Sequence, residues 1–305
     1  MDKIKSVKSL TWREMKSFSE SIAKDSIDYI STKAKSFSAS LDLTHSTISN
    51  ENSHDKKSIL LDTITINYPN VKLLSFYKAE EFNNKKIYDF LMDVFRIHEP
   101  ITQSLNCEEE DLEDFFTDIA SKYLMDNVSI VVFNEEKELV GICLNSINFV
   151  DIKNTQSNIF MEDSYKKTDF SEEYLKNPYR YEKAKKIDLF VSLIENKYEK
   201  ILPINVKKLL KIDIICVNPS YARLGIAKKL IDLSLKFALE NKCQGIISCT
   251  TANGSRKLME KEGFTAIKTI NFLDFKVNNE LVFQNLLDKG TGGALMFKKL
   301  LFDDK

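Results

Sequence analysis

The chain has 305 residues, which suits one elaborated α/β domain with an extension or two average domains. Lys and Arg total 44 and Asp and Glu total 45, and a net charge of −1 creates no overall field for capturing nucleic acid or an anionic membrane. No apolar run approaches the roughly 18 residues of a membrane span, and the N-terminus lacks the apolar segment of a signal peptide. We therefore expect a cytoplasmic protein with neither nucleic acid nor a membrane as its partner.

The cysteines are odd in number and include no CxxC pair. They are Cys107, Cys143, Cys216, Cys243 and Cys249. This scatter is typical neither of a disulfide framework nor of a zinc site. We therefore expect reduced thiols and no metal.

Residues 1–63 are predicted to be a flexible extension, because they are rich in serine and show neither a helical period nor strand-like alternation. The folded domain is predicted to span residues 64–305. Within it, residues 151–179 lose all periodicity, and a polar segment of that length is either a surface insertion or a functional lid.

In the first half of the folded domain, strand-like apolar strings alternate with helix-like apolar stripes. The string VKLLSFY predicts a strand, and the apolar stripe over residues 87–95 predicts a helix. A second helix, over residues 112–123, begins with a crowd of acidic side chains. The strings VSIVVF and ELVGICLNSINFV predict an antiparallel hairpin, and residues 184–198 predict a third helix.

The C-terminal third also alternates strands with helices. The strand KIDIICV precedes the helix GIAKKLIDLSLKFALE, and the strand QGIISCT precedes the short helix GSRKLMEK. Two further strands, IKTINFLDF and ALMFKKL, follow. This order predicts a mixed α/β sheet, since an all-parallel sheet would not accommodate the predicted hairpin.

Gly225 opens a predicted helix directly after a buried strand and the turn NPSYARL. The free backbone N–H groups at this helix start would form an anion site, reinforced by the helix dipole and by Arg223. They belong to Leu224, Gly225, Ile226 and Ala227. A pyrophosphate suits such a site, and an ordinary strand-to-helix connection is the alternative. The common GxGxxG and GxxxxGK[ST] patterns are absent from the sequence.

The string ICVNPSYARLGIAKKLI resembles the acetyl-CoA loop of the GNAT N-acetyltransferases, in which a strand and V-x-P precede [QR]-x-x-G-x-[GA] and a helix. Ala222 departs from the pattern, because the family has Gln or Arg there, and Arg223 follows it. The resemblance implies the GNAT fold, with a mixed, mostly antiparallel sheet flanked by helices, and acetyl-CoA as cosubstrate. It also implies that the coenzyme lies along two stretches. These are Ile215, Cys216 and Val217 for the pantetheine arm, and Arg223 to Lys228 for the pyrophosphate.

Acetyl transfer to an amine requires a base, because an amine is mostly protonated near neutral pH. His98 is the single histidine of the folded part, and Glu99 stands between it and Pro100. A residue before proline is pushed out of the α region, so Glu99 must leave the helix. The pattern leaves open whether its carboxylate faces solvent or a site.

The run DFLMDVFRIHEPITQSL is similar to the FF-x-x-EPL-x-x-SL signature of the invertebrate-type arylalkylamine (dopamine) N-acetyltransferases. This resemblance covers residues 71–301 apart from the polar insertion, and it implies that Glu99 is the catalytic base. The string CTTANGSRKLMEKEGF matches a short helix of that family, and the two hydroxyls that assist proton movement there fall on Thr251 and Ser255. Helix capping is the alternative role for both. Met259 stands where other GNAT branches carry a tyrosine acid.

The resemblance therefore implies direct transfer of an acetyl group from acetyl-CoA to an arylalkylamine or a similar small amine. A GNAT enzyme for a polyamine or a protein lysine is one alternative, and a catalytically silent acetyl-CoA-binding module is another. An acyl-cysteine intermediate on Cys216 or Cys249 is disfavoured, because no histidine lies downstream to activate a thiol. The acidic run at residues 108–114 either draws a cationic amine or is a helix start matched to its dipole.

Overall fold

The computed structural model of the protein describes residues 58–66, 72–80, 83–150 and 167–301. Residues 1–57 of the predicted extension and residues 151–166 of the predicted insertion lie outside this description. Within it, no helix combines the length and the apolarity that a bilayer crossing requires.

Strands and short helices alternate along the described chain. The strands are β1 (Leu60–Ile66), β2 (Lys72–Lys78), β3 (Ile130–Phe133), β4 (Leu139–Phe149), β5 (Lys208–Val217), β6 (Gly245–Thr250), β7 (Thr265–Asn271), β8 (Lys276–Val277), β9 (Glu280–Leu281) and β10 (Gly292–Lys299). The helices are α1 (Asn84–Phe90), α2 (Arg96–His98), α3 (Pro100–Ser104), α4 (Glu109–Lys122), α5 (Ser171–Leu175), α6 (Glu182–Glu195), α7 (Ile226–Glu240) and α8 (Asn253–Lys261). A π-helical turn at Leu91–Phe95 joins α1 to α2.

Eight of these strands form one sheet in the order β1-β2-β3-β4-β5-β6-β10-β7. Only the β5–β6 pair is parallel, and every other neighbouring pair in this sheet is antiparallel. The prediction of a mixed, mostly antiparallel sheet flanked by helices is therefore confirmed.

Helices cover both faces of the sheet, because strand side chains alternate between two cores. On one face, Val131, Ile142 and Leu144 pack with the apolar sides of α1, α4 and α6. On the other face, Ile130, Val132 and Cys143 pack with α7 and α8. Most residues of β3 and β4 are buried on whichever face they lie, which explains why the sequence strings of these strands are almost entirely apolar.

A β-bulge in β5 interrupts the strand pairing in the middle of the sheet. Leu144 pairs with Ile214 and Asn145 pairs with Ile212, so Asp213 is an extra residue in β5 and forms a bulge. The parallel pairing with β6 stops at the same point, at Ile212 and Ser248, although both strands continue. β5 and β6 therefore diverge beyond Asp213 and leave a gap in the sheet.

Four local features differ from the sequence predictions. The predicted strand IKTINFLDF ends at Asn271, and Phe272–Asp274 form a 3₁₀ turn. β1 begins at Leu60, before the predicted domain boundary at residue 64, and it pairs with β2 along its length. The third predicted helix ends at Glu195, and Tyr198 lies in a separate 3₁₀ turn. The hairpin β8–β9 was not predicted. It turns at Asn278 and Asn279, which both have positive φ as this tight turn requires.

Candidate active site

Glu99 lies between two short helices that the sequence separates at a proline. α2 ends at His98, and α3 begins at Pro100. Glu99 itself is extended, with φ −76° and ψ 127°, as expected for a residue before proline. Its Oε2 accepts a hydrogen bond of 2.8 Å from the backbone N–H of Thr102, so the side chain caps α3. This cap holds the carboxylate in one orientation.

The carboxylate of Glu99 is buried, since the residue is only 8% exposed. Its second oxygen, Oε1, accepts a hydrogen bond of 2.8 Å from the Thr251 hydroxyl. Burial raises the pKa of Glu99, and the hydrogen bonds from Thr102 and Thr251 oppose that rise without cancelling it. The solvent-facing alternative for Glu99 is therefore wrong, and the group is a better proton acceptor near neutral pH than an exposed glutamate.

Thr251 and Ser255 occupy different kinds of position. α8 begins at Asn253 with Ala252 as its N-cap, so Thr251 precedes the helix and does not share a helical face with Ser255. The backbone N–H at Asn253 donates instead to the Asp288 carboxylate at 2.7 Å. Neither hydroxyl is thus the N-cap of α8, and both border the gap between the diverging strands.

The turn before α7 has an unusual backbone. A 3₁₀ turn at Pro219–Tyr221 is followed by Ala222, which is extended. Arg223 has φ 62° and Gly225 has φ 81°. A Cβ on Gly225 would meet nothing within 4 Å, so the backbone conformation, not lack of space, requires glycine there. The first N–H groups of α7, from Ile226 onward, have no partners within the helix and point out of its start.

A groove runs from the gap between β5 and β6 to this turn. It consists of two adjoining depressions of about 350 and 530 Å³, which share Ile215, Val217, Ala222 and Ser255 in their walls. Most predicted coenzyme-binding residues line it: Ile215, Cys216, Val217, Arg223, Gly225, Ile226, Ala227 and Lys228. The side chain of Leu224 instead packs against the core, so only its backbone is available to a ligand.

One edge of β5 is open along the groove. Cys143, Ile142 and Gly141 of β4 pair with Ile215, Cys216 and Val217 on one side. Pairing with β6 on the other side has already ended at Ile212. The groove side of this β5 segment therefore presents backbone groups to an extended ligand, as an unpaired strand edge does.

A second, more enclosed space of about 260 Å³, which we call the inner cavity, adjoins the groove. Phe95, Glu99, Asp213, Ile214, Cys249 and Thr251 line both spaces. Four aromatic residues contribute to the cavity wall: Phe95, Phe115, Tyr123 and Tyr179. Glu99 and Thr251 thus lie at the junction of the groove and the inner cavity.

The wall of the inner cavity carries a buried ionic cluster that the sequence pattern did not predict. Lys211 Nζ is 2.7 Å from Glu195 Oε2 and 2.7 Å from Asp213 Oδ1. Although burial opposes its charge, the two carboxylates raise the pKa of Lys211, so its ammonium stays protonated. The signal in the sequence was the pair of charged residues in the otherwise apolar strand KLLKIDIICV, where positions 211 and 213 alternate with isoleucines.

Other candidate groups are less suited to chemistry. His98 is exposed in the groove wall, whereas Met259 is fully buried in the core. Burial raises the pKa of the Cys216 thiol to about 12 and that of Cys249 well above its ordinary value. Both thiols are therefore protonated, which disfavours either as a nucleophile, since the thiolate is the reactive form.

The acidic run at residues 108–114, where α4 begins, makes structural contacts. Glu108 and Asp111 form a capping box at the start of this helix. Asp111 accepts a hydrogen bond of 2.8 Å from Lys183, and Glu110 accepts one of 2.8 Å from Tyr181. The run is thus a dipole-matched helix start, and its residues are not in the wall of the inner cavity.

No group of three or more His, Cys, Asp or Glu side chains in the described residues is arranged to hold a metal ion.

The model of the Acetyltransferase (GNAT) family matches residues 84–264, more than half of the chain. The chain therefore belongs to the GNAT acetyltransferase family and is an acyltransferase. The matched stretch contains the Glu99 junction, the divergence of β5 from β6 and the turn before α7.

Solved insect structures share this fold at low sequence identity. An arylalkylamine N-acetyltransferase 2 from Aedes aegypti has a TM-score of 0.58 and 23% identity, covering 74% of this chain and 98% of its own. A mosquito arylalkylamine N-acetyltransferase-like 5b has a TM-score of 0.59 and 17% identity, covering 74% of this chain and 100% of its own. A Drosophila melanogaster polyamine N-acetyltransferase, which forms N-acetylagmatine, has a TM-score of 0.58 and 14% identity, covering 74% of this chain and 100% of its own. Likeness at these identities is a likeness of fold.

Proposed function

We propose that this protein transfers an acetyl group from acetyl-CoA directly to the primary amine of an arylalkylamine or a similar small amine, with Glu99 as the general base. The observation that carries the proposal is the position of the buried Glu99 carboxylate, which borders both the groove and the inner cavity. An acetyl donor in the groove and an amine in the inner cavity would meet beside it.

The groove suits acetyl-CoA in two respects. The unpaired edge at Ile215 to Val217 offers backbone groups to the amide-bearing pantetheine arm. The turn at Arg223 and Gly225 and the first N–H groups of α7 suit a pyrophosphate. Lys228 lines the same site, but its ammonium contacts the Asp232 and Glu262 carboxylates. We therefore assign most of the pyrophosphate binding to the backbone N–H groups.

In the proposed reaction the amine nitrogen attacks the acetyl carbon, and the bond between that carbon and the sulfur of coenzyme A breaks. Glu99 accepts the proton that the nitrogen loses, and its raised pKa suits this role near neutral pH. Thr251 holds the carboxylate by its hydrogen bond at 2.8 Å. We assign the proton that the departing sulfur receives to Ser255 or to water, since Ser255 lies in the groove wall.

The wall of the inner cavity supports a small amine with an aromatic tail. The cavity volume of about 260 Å³ is near the lower end of the range for small-molecule sites. Phe115 and Tyr179 meet edge to face with their ring centroids 5.1 Å apart, and an aromatic substrate ring is able to join such a pair. These features favour arylalkylamines over a protein lysine, which would bring a peptide backbone with it.

Replacement of Glu99 tests the proposal. We expect Glu99→Gln to lower kcat for acetylation of tyramine, dopamine or serotonin by about 100- to 10,000-fold, since the amide is isosteric but cannot take the proton. Glu260→Gln, the same substitution at an exposed residue of α8, is the matched control and should leave kcat unchanged. An unaltered kcat in Glu99→Gln would contradict the assignment of the base.

Two further measurements separate the alternatives. Thermal unfolding with coenzyme A, ATP or NAD tests the cosubstrate, and we expect coenzyme A alone to raise the Tm. A panel of arylalkylamines, polyamines and lysine peptides tests the acceptor. Binding of coenzyme A without turnover of any amine would favour the catalytically silent module.

A further inference from the structure

The cluster of Glu195, Lys211 and Asp213 lies in the wall of the inner cavity, and the proposed chemistry does not use it. The Lys211 ammonium bridges the two carboxylates at 2.7 Å each, and its side chain is 12% exposed. Ser146 also donates to Asp213 Oδ2 at 2.7 Å. Asp213 is the bulged residue of β5, so the cluster is anchored where the strands diverge.

A buried carboxylate pair of this kind requires a cation. Two carboxylates without one would face a large desolvation and repulsion cost, and an ammonium between them removes most of it. Here the cation belongs to the chain itself. When a substrate enters the inner cavity, Lys211 already balances the negative charges of Glu195 and Asp213.

Apart from Glu99, the remaining carboxylates of the cavity wall are Asp118 and Asp188, and both accept hydrogen bonds. Asp188 is half-buried, and burial raises its pKa, while a hydrogen bond of 2.6 Å from Asn177 and the charge of Lys122 oppose that rise. Asp118, which is exposed, accepts one of 3.3 Å from the Tyr179 hydroxyl. Solvent screens the exposed Asp118 carboxylate, so it attracts a second ammonium only weakly. At Asp188 a second ammonium would meet the charge of Lys122.

We propose that Lys211 determines substrate specificity: its ammonium occupies the position that the distal cation of a diamine would take, so the site selects monoamines. This inference rests on the proposed function and names the substrate class more narrowly. A diamine would have to desolvate its second ammonium in the cavity without a free buried carboxylate to receive it.

Pairs of substrates that differ only in the distal group test this with the wild-type protein. We expect butylamine to exceed putrescine, and hexylamine to exceed hexamethylenediamine, by about tenfold or more in kcat/KM. Equal or better use of the diamines would overturn the inference while leaving the proposed function standing. Absence of turnover with every amine tested, arylalkylamines included, would overturn both.

Replacement of Lys211 tests the residue itself. In Lys211→Met the side chain keeps most of its length and loses its charge, so a diamine is able to pair with Glu195 and Asp213. We expect the ratio of kcat/KM for hexamethylenediamine over hexylamine to rise about tenfold or more. In Lys211→Met/Glu195→Gln one freed carboxylate is gone, and the rise should largely disappear.

Lys207→Met is the matched control, because it removes the same charge from an exposed residue just before β5 that does not line the cavity. We expect the diamine-to-monoamine ratio to change little in this variant. An equal rise in both single variants would overturn the specific role of Lys211, as would an unchanged ratio in a folded Lys211→Met protein. If Lys211→Met does not fold, the wild-type substrate pairs decide the question.

Discussion

The groove and the inner cavity meet at Glu99 but are built differently. Backbone geometry makes the groove: a bulge at Asp213, a strand edge left open by the divergence of β5 from β6, and a turn with positive φ at Gly225. Side chains from α3, α4, α6, β5, β6 and the segments beside them make the inner cavity. Backbone groups are enough to bind a donor that is the same in every reaction. Discrimination among acceptor amines needs the side chains that line the inner cavity.

This contrast has a consequence for substitutions. Changes in the groove should act through backbone conformation and alter the affinity for acetyl-CoA. Changes in the inner cavity should act through charge, shape and proton transfer, and should alter kcat or the choice of amine. The Glu99 and Lys211 substitutions described above are the strongest tests of the cavity.

Gly225→Val is the sharpest test of the groove. The positive φ of 81° is unfavourable for a β-branched residue, with a cost of about 1–2 kcal/mol. We expect the KM for acetyl-CoA to rise about tenfold while the KM for the amine changes little. Steady-state kinetics with each substrate varied in turn gives the result.

Gly254→Ala is the control for that prediction. Gly254 lines the same groove, a Cβ there would meet nothing within 4 Å, and its φ is not positive. We expect acetyl-CoA kinetics close to those of the wild type. If both glycine substitutions weaken acetyl-CoA equally, the backbone of the turn is not what holds the coenzyme.

Thr251→Val tests the junction between the two spaces, with a smaller effect. Loss of the hydroxyl removes a hydrogen bond to Glu99, and we expect kcat to fall about fivefold, the equivalent of ~1 kcal/mol. That hydrogen bond lowers the pKa of Glu99, so its loss raises the pKa further. Because the base acts when deprotonated, the loss of activity at acid pH should begin at higher pH in the variant.

Thr251→Ser keeps the hydroxyl and serves as the comparison for this variant. We expect it to restore both kcat and the wild-type pH profile. A profile in Thr251→Val that coincides with the wild type would mean that Thr251 does not act on Glu99.

The smallest effect is expected for the two thiols that line the groove. Cys216→Ala and Cys249→Ala should each leave kcat within about twofold, because direct transfer needs no acyl-cysteine. Pre-steady-state acetylation followed by mass spectrometry checks the same point, since no acetylated cysteine should accumulate. A loss as large as that of Glu99→Gln in either variant would contradict direct transfer.

Much of the fold was predictable because its elements have strong local periods. The apolar runs of β3 to β6 and the stripes of α1, α4 and α7 all appear in the structure near their predicted positions. β1 was missed because its string LLDTITI is half exposed and adjoins the serine-rich stretch. The turn at Asn278 and Asn279 was missed because the strands on either side have only two residues each.

The candidate site was predictable only in part. The glycine turn follows from residues that are adjacent in sequence, and the emphasis on Glu99 came from a resemblance in the run around it. The pattern did not show that Thr251 contacts Glu99, since 152 positions separate them. Thr251 and Ser255 are four residues apart, yet they do not share a helical face, because α8 begins only at Asn253.

The sequence by itself determined the alternation of strands and helices, the break at Glu99 and Pro100, and the turn at Gly225, because backbone preferences depend on neighbouring residues. Only the tertiary structure decided the divergence of β5 from β6, the burial of Glu99 and the bridge of Lys211 between Glu195 and Asp213. These features arise from contacts between distant parts of the chain, where the packing of whole elements sets distance, solvent access and charge.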